Sequence, residues 1–487
     1  MDLVGLAAGE VALDPEDLLG HAGHSPSRRR MSQEGAMHPV LEQVDWELEG
    51  RAVVELLRTL LRFDTTNPPG NEAECVAFLA DHLRGLGVEP QVLSPVTGRA
   101  NLVARLAGDD SAPLLLNGHV DVVAAEADRW RHPPFAGEVH DGAVWGRGAV
   151  DMKQMVAMSV AVVGLLARLG MPLRRDLKLA VVADEEAGCA TGSAWLVDRH
   201  PDKVRAGHAL GEVGGATFYL GGRPFYPIQV AEKGVAWLRA TATGATGHGS
   251  IPRDDNAVVR LAEFLARVGR RRLPLHPSPE VRRFLEALAA VRGRPARAVL
   301  PLLLHPRWSN AVLRRGVRDP GMARLLGALL RNTASPTVVH AGHKTNVIPG
   351  RAEAELDGRI AIGSSEAELL AELRALAGPG IELELVAPSH PPTVVSAETE
   401  LYEVLAGVVA EHHPGAVAVP TVTPGFTDAK YWSRLGTACY GFAPIRLEPT
   451  DPDFASLFHG DDERVPVAGL KAGLRMLADA VARHCCR

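Results

Sequence analysis

"LLLNGHVDVV", residues 114 to 123, is the stretch whose reading decides the fold. It is an apolar run of strand length, yet it carries His119 and, two residues on, Asp121. Side chains along a strand alternate with period two, so these two point to one side. A carboxylate beside an imidazole fixes its tautomer and raises its basicity, which a metal-bound histidine needs behind it. An ordinary His–Asp pair at a surface strand end uses the same residues. The rest of the chain has to decide between the two.

Outward from this run, helical and strand patterns alternate. Leu56, Leu57, Leu60 and Leu61 form a helical stripe, and "DTTNPPGNE" (64–72) is a loop dense in turn formers. Val76, Leu79, Leu83 and Leu86 mark a second amphipathic helix, stopped by Gly87. "NLVARL" (101–106) and "LKLAVVADEEAG" (177–188) read as further buried strands, the second running into acids. Between them a long polar connection feeds a helix with Val156, Val160 and Val163 on one face. This alternation implies an α/β domain with a mixed, largely parallel sheet, whose sites lie at strand ends.

From about residue 229 the character changes to half-exposed strands ("VAWLRATATG", "AEAELDGRIAI", "IELELVA") and amphipathic helices, an α+β pattern. After about 388 the α/β style returns. The expected organisation is a larger domain from 46–228 and 388–487, with a smaller one inserted at 229–387. Residues 1–45 read as a disordered extension, with Met31 and Met37 as alternative starts.

Composition narrows the function. The formal net charge is −6 with 23% charged residues, so no basic excess points to nucleic acid. No apolar run reaches the length of a membrane span. Five cysteines lie scattered at 75, 189, 439, 485 and 486 without CxxC spacing. That suits a reducing cytosol and leaves any metal to histidines and carboxylates. Cys485 and Cys486, at the C-terminus, are expected to be exposed.

Four further positions join His119. Asp151 lies in "GRGAVDMK", where Asp stands in place of the third glycine of a dinucleotide loop and no strand directly precedes it. It is either a presented ligand or a plain helix N-cap. Glu185 and Glu186 in "ADEEAG" are adjacent carboxylates after a buried strand, costly unless a cation compensates or the turn is solvated. Glu212 sits in "ALGEVGGA" and His459 in "LFHGDDERVP". Together they supply the ligand types that zinc accepts.

Taken in order, "GHVDVV", "WRHPPFAGEVHDGAVWGRGAVDMK", "ADEEAG", "GEVGGA", "GHGSIPRDDNAV", "NVIPGRAEAELDGR" and "GFTDAKYW" resemble the motifs of one family over about residues 50 to 482. It is the dinuclear zinc aminoacylase, carboxypeptidase G and acetylornithine deacetylase family. The resemblance implies a zinc-exopeptidase-like catalytic domain and an inserted ferredoxin-like lid and dimerisation domain. It implies two zinc ions per chain, with cobalt or manganese as substitutes. His119 and Glu212 complete one site, Glu186 and His459 the other, and Asp151 bridges them. Asp121 orients His119, and Glu185 is the general base for a water bridging the ions. His248 matches a histidine that stabilises the oxyanion, often from the opposite subunit of a homodimer. Asn346 and Arg359 match positions near the substrate, although Arg359 on a strand also suits an ion pair with Asp357 or Glu355. Thr427 and Asp428 match a supporting loop.

Gly211 and Val213 depart from what relatives often carry beside the acid. The insertion is longer than in compact relatives, with extra helical sequence at about 275–332, as in the carboxypeptidase S-like branch. The expected activity is metal-dependent hydrolysis of an amide or peptide bond in a small substrate with a free carboxylate. The alternative is deacylation or desuccinylation of an N-acyl amino acid. A non-catalytic binding protein on this scaffold is disfavoured, because every one of these residues is present.

Overall fold

The computed structural model describes residues 37–452 and 454–487. Its main sheet has ten strands. At its centre Leu173–Val182, Gly108–His119, His208–Gly211 and Ala438–Gly441 lie side by side and parallel. Gln91–Val96 and Arg99–Leu106 extend one edge antiparallel. Arg223–Glu232 and Val417–Thr423 lie beyond the other side, parallel to each other. The sheet is thus mixed with a parallel centre, as the alternating pattern implied.

Period-two alternation explains the layering. Leu114 and Leu116 face one core, with the helices Trp46–Leu61, Lys153–Leu169 and Val467–Cys485. Leu115 faces another, with Leu196, Val197 and Trp432. Helices therefore cover both sides, which is why these strands read as nearly continuous apolar runs. The first helix starts where Asp45 accepts from the Glu47 and Leu48 N–H groups, at 3.1 and 3.0 Å.

Two expectations need correction here. Residues 37–45 were assigned to the extension, yet Val40 and Leu41 are buried in the main core, and the His38 N–H donates to Asp479 at 2.9 Å. Residues 1–36 lie outside the described residues. Cys485 and Cys486 are buried, not exposed, because the last helix keeps its apolar face on the sheet through its final turn.

The second sheet has four strands, Thr333–Ala341, Arg351–Ile360, Gly234–Thr243 and Ile381–Leu385 in spatial order, all antiparallel. Numbered along the chain this order is 2-3-1-4, with Ala257–Arg270 after the first strand and Glu366–Arg374 after the third. That is the ferredoxin-like arrangement. The chain leaves the main sheet at Glu232 and rejoins it at Thr393–Val394, so the crossings fall a few residues beyond 229 and 387. The helical segment Pro279–Leu329 builds a separate small core that includes Ala231, Ile362 and Val422. It packs against the Val417–Thr423 strand of the main sheet and does not simply enlarge the second.

Candidate metal centre

Three neighbouring parallel strands end at one place. His119 closes its strand, Asp184 to Glu186 follow Val182, and Glu212 follows Gly211. Strand C-terminal ends are where open α/β sheets place their sites. The "GEVGGA" turn is tight by necessity: a Cβ on Gly214 would lie 2.3 Å from the Gly441 carbonyl oxygen.

Asp151 arrives from the other direction, on the Gly146–Asp151 loop. The following helix begins at Lys153 and takes no side-chain cap, so Asp151 is not a helix cap. The loop is held from behind by Glu463, whose buried carboxylate accepts from the Gly148, Val150 and Asp151 N–H groups at 3.0, 2.5 and 2.9 Å. Arg147 pairs with the same carboxylate at 2.7 Å.

Two donor groups result. His119 Nε2 lies 3.2 Å from Asp151 Oδ1 and 3.7 Å from Glu212 Oε2. His459 Nε2 lies 3.2 Å from Asp151 Oδ2 and 3.1 Å from Glu186 Oε2. In each group the three donor atoms lie within 4.8 Å of one another, and Asp151 gives one oxygen to each. The five residues singled out in the sequence are therefore brought together.

Asp121 does more than the alternation suggested. Its carboxylate lies 3.5 Å from His119 Nδ1, while its backbone carbonyl lies closer, at 3.0 Å. The same carboxylate accepts from the Glu185 and Glu186 N–H groups, both at 3.1 Å, and from Asn67 Nδ2 at 2.9 Å. It thus fixes the acid pair as well as the imidazole.

The electrostatics call for positive charge. Burial, then the Glu212 charge, pushes the Glu185 carboxyl well above the usual range, and burial pushes Glu212 up to about 8. Burial also disfavours the Asp151 carboxylate, but hydrogen bonds from His119 and His459 outweigh it and hold its pKa low. Hydrogen bonds to Asp151 and Glu186 raise His459 to about 10. Left to themselves, these groups hold protons to limit like-charge repulsion. Two divalent cations remove that need. One oxygen each of Glu185 and Glu186 is buried without a hydrogen-bond partner, and the donors are all imidazole and carboxylate. The set fits a pair of zinc-class ions.

The remaining sequence candidates give no atom to the two donor groups, although the buried Asp428 carboxylate is close enough to raise the Glu185 and Glu212 carboxyls. His248 is exposed, and its ring bonds Ser250 Oγ at 2.8 Å. Asn346 is exposed in a turn. Arg359 forms the expected pair with Asp357, Nε to Oδ1 at 2.9 Å, while its buried Nη1 has no partner. Its guanidinium also lies over Phe426, 4.6 Å from the ring centroid. Asp428 accepts from Ser193, and Thr427 donates to the buried Glu232.

The sequence reading missed Glu463, Asn67 and Lys430. Lys430 is a buried ammonium 3.7 Å from the Phe426 centroid and 3.2 Å from Cys189 Sγ. Glu463 stood beside two exposed-looking aspartates in "GDDERVP", and Asn67 in a loop of ordinary turn formers. Neither pattern separates a support residue from a solvated one.

A model of peptidase family M20/M25/M40 matches residues 115–483. The chain belongs to this family. It is a metal-dependent hydrolase by that membership, and the donor clusters lie within the matched span. Among similar proteins, the probable carboxypeptidase S-like 2 of Dictyostelium discoideum is 28% identical, over 74% of this chain and 69% of that one. The N-fatty-acyl-amino acid synthase/hydrolase PM20D1 of Bos taurus is 27% identical, over 95% and 94%. The structure of the M20 family metallo-carboxypeptidase Sso-CP2 from Sulfolobus solfataricus shares the fold. Its TM-score is 0.66 at 16% identity, over 88% of this chain and 98% of that one. Among the described residues, no helix is long and apolar enough to cross a membrane.

Proposed function

We propose that this hydrolase cleaves an amide or peptide bond in a small substrate with a free carboxylate, in the manner of a carboxypeptidase or dipeptidase, with two zinc ions. One observation carries the reading: two donor triads share Asp151 beside the buried, unpartnered oxygen of Glu185. His119, Asp151 and Glu212 would hold one ion, and Asp151, Glu186 and His459 the other. Two such ions, when bound, polarise a scissile carbonyl and lower the pKa of water toward neutrality.

The chain's own groups do the rest. Glu185 takes the proton of the attacking water and delivers it to the leaving nitrogen, so the amine departs neutral. Asp121 holds His119 and the Glu185–Glu186 backbone in register for this transfer. Arg359 offers the unpartnered Nη1 to the substrate carboxylate while Asp357 occupies Nε and Nη2. Asn346, on the ribbon that carries His248, is assigned to the substrate with that histidine. The free thiol state of all five cysteines suits the cytoplasm.

His248 acts from a second copy of the chain. It is exposed and bonded only within its own loop. The edge strand Thr333–Ala341 is largely exposed and pairs on one side only, which suits a twofold contact through the inserted domain.

The second reading, an N-acyl-amino-acid deacylase, is favoured by the similarity to the bovine N-fatty-acyl-amino acid synthase/hydrolase over nearly the whole chain. A panel of dipeptides and N-acyl amino acids, with metal content measured in parallel, separates the readings. The proposal expects zinc-dependent turnover, higher on dipeptides. Higher turnover on N-acyl amino acids establishes the second reading, and turnover unchanged by metal removal overturns both.

A further inference from the structure

The strand Glu138–His140 lies on a small three-stranded sheet with Ala143–Trp145 and Arg464–Pro466. Glu138 and His140 are two residues apart on this strand and so share a face. His140 Nε2 lies 2.8 Å from Glu138 Oε2. His132, from the loop before the strand, stacks on His140 with ring centroids 3.6 Å apart and planes within 5°. Trp145 supports the His132 ring edge-on, at 4.7 Å. The three side chains offer one donor atom each, all within 4.8 Å of one another.

From this geometry we propose a third, peripheral metal site at His132, Glu138 and His140, for a transition-metal dication of the zinc or copper class. It is separate from the pair at Asp151. The donors decide the class: two imidazoles and one carboxylate suit zinc or copper, whereas magnesium and calcium take oxygen ligands.

An exposed Glu–His ion pair accounts for two of the three residues. It does not account for the third donor laid against it. The pair already points two donor atoms at one another, with a proton between them. A metal ion replaces that proton. With zinc-to-ligand distances of about 2.0–2.2 Å and tetrahedral angles, the donors separate to about 3.3 Å. That is a change of half an ångström, which half-exposed side chains make without backbone movement. Stacked parallel rings point their lone pairs side by side and not at one point, so the His132 ring swings well out of the stack by side-chain rotation to bring its nitrogen to the ion. With three protein ligands and water for the remainder, the site binds more weakly than the buried pair and exchanges its ion freely.

The position gives the site a structural reach. Arg131, the neighbour of His132, pairs with Asp462 at 2.7 Å. Asp462 precedes Glu463, which holds the Asp151 loop. An ion here therefore ties the 130–134 loop to the small sheet that carries the back of the main site.

The test uses the zinc-loaded full chain. After gel filtration it is titrated with copper(II), and the added equivalents are read by calorimetry and by electron paramagnetic resonance. The expected result is one further ion per chain at micromolar affinity, with nitrogen couplings from two imidazoles. His140→Ala should abolish that binding event, His132→Ala should remove one nitrogen coupling and weaken binding at least tenfold, and Glu138→Gln should weaken it about tenfold. All three variants should keep the wild-type melting temperature and turnover without added copper. The proposal is overturned if the wild type takes up no further copper below millimolar concentration. It is also overturned if His140→Ala binds it unchanged, which would place the copper on other histidines such as His21 or His24.

Discussion

Glu185 and Glu186 are adjacent in the chain, both N–H groups donate to Asp121, and each keeps one buried oxygen without a partner. What separates them is the other oxygen: that of Glu186 reaches His459 at 3.1 Å, in the donor group it shares with Asp151, and Glu185 belongs to neither donor group. Glu185→Gln is therefore expected to keep its metal and lose about 10²–10⁴-fold in turnover, whereas Glu186→Ala loses metal. Metal analysis of both variants alongside steady-state rates checks this, and the reverse pattern would exchange the two roles. His484 gives a prediction about stability. It is buried with neither ring nitrogen bonded, and burial lowers its pKa to about 3. The unfolded chain then binds the proton that the folded chain refuses, so stability is full above about pH 6.5 and falls as the pH drops toward 3. From pH 8 to pH 5 this one group removes about 2 kcal/mol, at 1.36 kcal/mol per unit. His484→Leu should flatten that part of the pH profile relative to wild type in denaturant titrations. An unchanged slope would show that His484 protonates without cost.

At the scale of elements, the strand carrying His119 was legible because both faces of its sheet are covered, which leaves an apolar run broken only at its functional end. The same logic exposed the strands ending in Asp184 to Glu186 and in Glu212. What stayed hidden is the support from residues distant in sequence. Glu463 holds three backbone N–H groups of the Asp151 loop from more than 300 residues away, and no local pattern encodes that. Removing one member of such a buried pair costs about 3–5 kcal/mol. Loss of a partner behind a metal ligand typically costs about 10–100-fold in metal affinity. Glu463→Ala should show both, read as a lower unfolding midpoint and a weaker zinc dissociation constant. A normal zinc affinity would mean that the loop keeps its shape unaided. The C-terminal helix was misread for the opposite reason: terminal position suggested exposed cysteines, but the helix stays on the sheet through Cys485.

Over the whole molecule, the change from continuous to half-exposed strand patterns falls where the chain passes from the ten-stranded sheet to the four-stranded one. The helices at Pro279–Leu329 were legible as extra helical sequence, but their packing was not, because their leucines face a core shared with Ala231 and Val422, and an apolar stripe does not name its partner. Nor does one chain's sequence say which copy receives His248. If it serves the neighbour, His248→Ala and Glu185→Ala chains are each nearly inactive alone. After subunit exchange about half the dimers are mixed, with one complete site each, so about a quarter of wild-type activity returns. Exchange confirmed without recovery would place His248 in its own site or outside catalysis. The central claim is the shared pair of ions at Asp151, and anomalous scattering at the zinc edge from crystals of the purified chain tests it most directly. The account predicts two peaks about 3.5–4 Å apart, one among His119, Asp151 and Glu212 and one among Asp151, Glu186 and His459. A single peak, or none, from protein that remains fully active in strong chelator would contradict it.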